Sequence, residues 1–301
     1  MNISNEEITK IRQSLQSRQI TLADGSRIPA IGQGTWRMGE HAATREAEIQ
    51  ALRLGIKLGL RLIDTAEMYG DGKSEELVGE AIKDQRDDVF LVSKVLPSHA
   101  GRDSLPAACE QSLRRLGTDH LDLYLLHWKG SIPIEETIEA MESLRASGKI
   151  LRWGVSNFDT VDMQKLWEQC HGSHCAVNQV LYHLGSRGIE TSLLPWQSDH
   201  HLPVMAYCPL AEGGTLKNTL LESNWVRTIA ADHQVSPMQI LLAWVIRHAE
   251  HDGMIAIPKA AQPEHVLDNA RAAAIRLTDE EQLILDKAFP APTRKVPLDI
   301  V

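Results

Sequence analysis

Residues 61–72 read RLIDTAEMYGDG. A branched apolar run stops at a carboxylate, Asp64, and a phenol, Tyr69, follows five residues later among small and turn-forming residues. Taken singly, a polar residue that closes a strand is most simply its solvated exit. Here the pattern repeats. Apolar, β-rich runs recur along the chain as AIGQGT (30–35), RLIDT (61–65), VFLVSK (89–94), LDLYLLH (121–127), ILRWGVSN (150–157), CAVNQV (175–180), LPVMAY (202–207) and GMIAIPK (253–259). Between them apolar residues fall at 3–4 spacing, as in Ala51, Leu54, Ile56 and Leu58, or Ile134, Ile138, Met141 and Leu144, the pattern of amphipathic helices. Strands apolar throughout and alternating with helices imply a parallel sheet covered on its outer face, and eight such units imply closure into a (β/α)8 TIM barrel.

Outside the eight units, QITLADGSRIPAI reads as an N-terminal β-hairpin turning at Asp24-Gly25, placed to plug the bottom of the barrel. QPEHVLDNA and TDEEQLILDKAF read as two extra helices after the eighth strand. The second has Thr278 as N-cap and Glu281 three residues on, a capping-box spacing. No linker or low-complexity segment interrupts the period, so residues 1–18 are an amphipathic extension and 19–301 a single barrel domain. A doubly wound fold would need G-x-G-x-x-G after its first strand. IGQGTWRMG lacks the third glycine and has Trp36 where a pyrophosphate would need clearance.

Composition narrows the function. The 301 residues include 43% hydrophobic and 24% charged residues, and 31 basic against 40 acidic side chains give a formal charge of −9. Such a chain repels nucleic acid and acidic membranes overall, so any phosphate must be held by a local pocket. No run reaches the ~18 apolar residues of a membrane span, and the polar start has no signal-peptide core; a cytoplasmic protein is expected. Four cysteines make no disulfide framework and are expected to be reduced.

In such a barrel, catalytic groups lie at the carboxyl ends of the strands. Asp64, Lys94, His127, Ser156 with Asn157, Gln179, Tyr207 and Lys259 close seven of the eight. A buried lysine beside a carboxylate stays charged, and its ammonium, close to a phenol, is expected to lower the pKa of Tyr69. A proton donor beside a histidine suits a carbonyl that becomes an alkoxide. The hydride must come from elsewhere.

IDTAEMYG, LVSKV and YLLHW, in this order and at these strand ends, resemble the signature of the aldo-keto reductase family. The resemblance continues through WGVSNF, VNQVLYH, MAYCPL and IPKAAQPEHVLDN, from about Gln19 to the end of the chain, and lies nearest to small bacterial methylglyoxal-type aldehyde reductases. It implies Tyr69 as general acid, tuned by Lys94 and Asp64, with His127 orienting the carbonyl. It also implies an extended NADPH at the barrel mouth. Ser156, Asn157 and Gln179 would hold the carboxamide and Tyr207 would stack on the nicotinamide. Thr35, Trp36, Pro209 and Leu210 would line its course, and Lys259, Ala260, His265, Asp268 and Asn269 would surround the adenosine phosphate. Trp36 and Trp128 would wall the substrate pocket, which is preferred over the alternative that tryptophans beside strand ends simply fill the barrel rim.

One part of the pattern departs from NADPH-dependent members. Ala260 stands for a serine and His265 for an arginine, and a histidine with pKa ~6.5 is mostly neutral at pH 7. Losing one charge-assisted contact costs ~1.5–3 kcal/mol, so NADPH preference should be reduced, with weaker NADH use and tighter NADPH binding at lower pH.

Other readings are set aside. QCHGSHC (169–175) groups Cys170, His171, His174 and Cys175, but without C-x₂-C or H-x₃-H spacing and in a helix-to-strand turn, so no metal is expected. Cys208 reads as a small filler near the mouth. A Schiff-base aldolase using Lys94 leaves the tyrosine unexplained and needs an amine that Asp64 would keep protonated. A nucleotide-sensing regulatory protein could keep every residue above, and only turnover separates it from an enzyme. The loop PLAEGGTLKN and the early end of the chain predict an open pocket for small aldehydes and dicarbonyls, in a monomer.

Overall fold

All eight apolar runs contribute parallel strands in the computed structural model, which describes residues 3–301. They are β3 (Gln33–Gly34), β4 (Leu62–Asp64), β5 (Phe90–Val95), β6 (Leu123–Leu126), β7 (Trp153–Ser156), β8 (Asn178–Leu181), β9 (Val204–Tyr207) and β10 (Met254–Ala256), preceded by the antiparallel pair β1 (Gln19–Thr21) and β2 (Arg27–Pro29). Each strand from β3 to β10 bonds its successor. The sheet then closes: Ala256 N–H donates to Ala30 O and Gly32 N–H to Ala256 O, both at 2.8 Å, and Gly34 N–H reaches Pro258 O at 3.1 Å. A closed sheet has no edge left to pair.

Closure explains why the first and last runs yield such short strands. A Cβ on Gly34 would stand 2.7 Å from Ile257 O, so only glycine lets the two chain segments approach at the seam. Between the seams β6, β7 and β8 are buried at every position, as expected of strands covered on both faces. The outer helices bury the predicted stripes. Ala51, Ile56 and Leu58 face inward from Ala42–Leu58, with Leu54 half-buried against the core, and Ile138, Met141 and Leu144 face inward from Ile134–Ala146.

The hairpin lies at the end where the strands begin. Asp24, in its turn, accepts from Ser26 N–H at 3.0 Å and pairs with Arg152, the residue before β7, at 2.5 Å. The extension forms the helix Asn5–Gln16, which buries Ile8, Ile11 and Leu15 and ties Glu7 to Arg271. The two extra helices are Pro263–Arg271 and Asp279–Ala288, and the second has both halves of the Thr278–Glu281 capping box.

Two features go beyond the sequence reading. The connection after β9 is not short: it holds the helices Gly214–Glu222, Asn224–Asp232 and Pro237–Val245. The tail does not simply stop, but folds back over the strand-end face. Buried Arg187 holds Asp286 and Phe289 O, each at 2.8 Å, Lys295 pairs with Asp159 at 3.1 Å, and Ser186 Oγ donates to Asp299 at 2.5 Å. Among the described residues no helix is long and apolar enough to cross a membrane.

Candidate active site

At the mouth, Lys94 is fully buried and all three of its ammonium protons have partners. Nζ donates to Asp64 Oδ2 at 2.7 Å, to Thr65 O at 2.9 Å and to Tyr69 Oη at 3.1 Å. Asp64, 1% exposed, receives Gln179 Nε2 on its other oxygen at 2.8 Å. A buried charge pair is tolerable only when satisfied in this way. Burial pulls the lysine's pKa down, but Asp64 and then Tyr69 raise it further, and the net direction is up. It stays an ammonium.

For Tyr69 the expected direction is reversed. Burial raises the phenol's pKa by more than Lys94 lowers it, with Asp64 adding a further rise. The cation thus acts against desolvation without overcoming it, and the phenol keeps its proton. Because Lys94 donates to Oη, the phenol's own O–H is left to donate elsewhere.

His127 follows β6 and is held neutral: burial, then Lys94, pushes its pKa down to about 3. Its ring meets Tyr69 edge-on, with centroids 5.8 Å apart, and Trp128 at 4.9 Å. His127 Nδ1 is enclosed and has no hydrogen-bond partner among the described residues. Orphaned buried N–H groups are rarer than under-satisfied acceptors, so we assign the proton to Nε2.

Asp64, Tyr69 and His127 line one cavity of about 990 Å³, with Lys94 buried behind them, and it runs from these residues and Trp128 to Lys259, His265 and Asn269. Thr35, Trp36, Ser156, Asn157, Gln179, Tyr207, Pro209 and Leu210 line it as well. Four cationic side chains, Arg37, Lys129, Lys217 and Lys259, face it with Glu212 and Asp64. In a chain of net charge −9, this is a local basic pocket of the kind a bound phosphate requires.

The model of the aldo/keto reductase family matches residues 30–289. The chain belongs to this family. It is 56% identical to the methylglyoxal reductase YeaE of Escherichia coli over 287 residues, 95% of this chain and all of that one. It is 33% identical to a glyoxal reductase of Bacillus subtilis, covering 89% of this chain and 91% of that one. Among solved structures, an aldo/keto reductase from Klebsiella pneumoniae in complex with NADP and acetate superposes with a TM-score of 0.91 at 57% identity, over 94% of this chain and 99% of that one.

In this reductase several residues named from the sequence are engaged within the protein. Thr35 Oγ1 donates to Asp64 O at 2.9 Å and accepts from Ser74 Oγ at 2.8 Å, so Thr35 braces the strand end. Ser156 Oγ donates to Gln179 O at 2.8 Å. Gln179 does not end its strand: it is the second residue of β8, aimed inward at Asp64. Asn157, at φ 59°, donates Nδ2 to His127 O at 3.3 Å and accepts Tyr207 Oη at 2.9 Å. Ala260 packs on the core and Asp268 turns to Arg271, 3.9 Å away; neither lines the cavity.

The sequence reading missed Arg37 and Lys217, which adjacency to Trp36 and to the loop after β9 could have suggested. It also missed Ile300 and Val301, which line the cavity through the folded-back tail, and nothing local in the sequence marks them. The mouth is therefore more enclosed than short loops alone predicted. Cys208 is half-buried, at φ 47°, and burial raises its thiol to about 11. That suits filling rather than reactivity.

Proposed function

We propose that this chain reduces aldehydes and small dicarbonyls of the methylglyoxal type to alcohols with NADPH, Tyr69 supplying the proton. The observation that carries this reading is Lys94, which holds Asp64 and donates to Tyr69 Oη beside a neutral His127. Bound NADPH supplies the hydride to the carbonyl carbon. Nε2–H of His127 orients the carbonyl oxygen, and Tyr69 gives its proton to that oxygen as negative charge develops there. Lys94 then stabilises the phenolate, and Asp64 keeps Lys94 charged.

The residues along the cavity fit an extended dinucleotide. Gln179, its nitrogen committed to Asp64, can offer its carbonyl oxygen to a carboxamide, as Ser156 can offer its lone pairs, while Asn157 exchanges Tyr207 Oη for the ligand. The ring of Tyr207 gives a flat apolar wall. At the other end Lys259, His265 and Asn269 line the cavity beside the helix Pro263–Arg271, whose first N–H groups favour an anion. Trp36, Trp128 and the tail would wall a small substrate. Without an arginine at 265, NADH should be used weakly rather than rejected. The same reading takes the chain to act on small carbonyl compounds as a monomer; a cytoplasmic location suits supply of NADPH. The similarity to YeaE, to the glyoxal reductase and to the NADP-bound structure supports the same reading.

The test is loss of NADPH absorbance with methylglyoxal and with an aromatic aldehyde. Tyr69→Phe should bind NADPH as the native chain does and lose roughly 10²–10⁴ in kcat. Undiminished turnover in that variant would overturn the assignment, and NADPH binding without turnover in the native chain would indicate a nucleotide sensor.

A further inference from the structure

The run QCHGSHC fails as a zinc motif on spacing, yet the fold brings it a ligand from another element. The helix Ile134–Ala146 presents Glu142 to the short 3₁₀ turn Gly172–His174. Glu142, His171 and His174 each place one ligand atom within 4.8 Å of the others. Neither cysteine of the run is part of this group: Cys175 is buried and Cys170 exposed.

Two further observations bear on the cluster. Glu142 Oε1 accepts the indole N–H of buried Trp153 at 2.6 Å. Ligating carboxylates in metal sites are typically held by such an outer hydrogen bond. In addition, Arg145 Nη1 stands 3.1 Å from both Glu142 oxygens and 3.0 Å from His174 Nδ1. A guanidinium can only donate, so in the tautomer that leaves His174 Nδ1 bare its lone pair meets the carboxylate on one cationic point, and in the other tautomer the same nitrogen donates to Glu142. His174 Nδ1 and Glu142 Oε1 are themselves 3.0 Å apart, close to the ~3.3 Å edge of a tetrahedron with bonds of ~2.0–2.1 Å.

We propose that Glu142, His171 and His174 form a surface site for a divalent transition ion of borderline softness, represented by Zn²⁺, which displaces the Arg145 guanidinium. Two imidazoles and a carboxylate are a competent donor set and leave a position for water. The widest separation, 4.8 Å, closes by rotation of two exposed imidazoles, and Arg145, 43% exposed, can swing into solvent. None of the three ligands lines the catalytic cavity. The ion would cross-link the end of one outer helix to the turn that feeds β8.

Calorimetric titration of the chelator-treated full chain with Zn²⁺ tests this, with Co²⁺ visible absorption reporting the ligand set. One equivalent should bind at micromolar concentration. His171→Ala and His174→Ala should each weaken binding by at least roughly tenfold, Arg145→Ala should tighten it, and Cys170→Ser should leave it unchanged. The histidine variants lie on the surface and should keep native NADPH-dependent turnover. The proposal is overturned by no saturable binding up to about 1 mM, by binding that persists in the double histidine variant, by its loss in Cys170→Ser, or by weakening in Arg145→Ala.

Discussion

His265 stands exposed at the start of the helix Pro263–Arg271 and shares the end of the cavity with Lys259 and Asn269. An arginine there would keep its charge at every working pH and could hold a phosphate with two N–H groups. His265→Arg should therefore tighten NADPH about tenfold or more while leaving NADH nearly unchanged, since a charge-assisted bond contributes ~1.5–3 kcal/mol. Fluorescence titration with both nucleotides at pH 6 and pH 8 measures this. Equal gains for the two would show that His265 does not meet the 2′-phosphate. Other residues show what a sequence conveys at this scale. Asp64, Lys94 and His127 were legible because a barrel sends its strand ends to one mouth. The shift at Tyr69 was not, because burial by the assembled fold outweighs the one neighbour that could be named. The partner of Gln179 was not either, since Asp64 lies 115 residues away in sequence.

At the scale of elements, periodicity located every barrel strand and both late helices, and the capping box at Thr278 formed as its spacing required. Strand lengths were overstated where the barrel closes, because AIGQGT and GMIAIPK meet through isolated bridges at Ile31–Ala256 and Gly34–Lys259 rather than a continuous ladder. The tail was illegible for a different reason. It has no periodicity of its own and is held by contacts from distant loops, among them Ser186 on Asp299 and Arg187 on Phe289 O. Those contacts set the position of Ile300 and Val301 at the cavity. Ser186→Ala removes one latch on the strand-end side while leaving Asp64, Tyr69, Lys94 and His127 untouched. Steady-state kinetics should show KM for methylglyoxal raised several-fold with kcat near native, and stability lower by about 1 kcal/mol. A fall in kcat at constant KM would mean that the tail acts on the chemistry and not on the wall.

For the whole molecule, alternation and count narrowed the fold to a closed barrel or an open doubly wound sheet, both of which bury parallel strands on two faces, and the missing third glycine of IGQGTWRMG decided for the barrel. What they do not reveal is the cost of enclosing titratable groups within it. His127 and His183 are 7% and 3% exposed, and burial lowers them to about 3 and about 4. In the unfolded chain each has a pKa of ~6.5. Below that value the unfolded state binds protons that the folded state refuses, so stability falls as pH falls from ~6.5 toward the folded values. Glu190 and Glu281 are shifted down from 4.5; burial opposes the shift, and hydrogen bonds from Arg187 and Tyr182 to the first, and from Thr278 and His233 to the second, outweigh it. Their contribution is present above the unfolded carboxylate range and is lost only as pH falls through it. The two sets therefore act in different windows, and the decline between pH 6.5 and 5 belongs to the histidines, at most about 2 kcal/mol each at pH 5. Urea midpoints at pH 7.5, 6 and 5 should fall across this window, and His183→Gln should remove close to half of the fall while changing the pH 7.5 midpoint little. A midpoint that holds steady from pH 7.5 to 5, or a variant whose decline matches the native one, would show that these histidines titrate alike in the folded and unfolded chain.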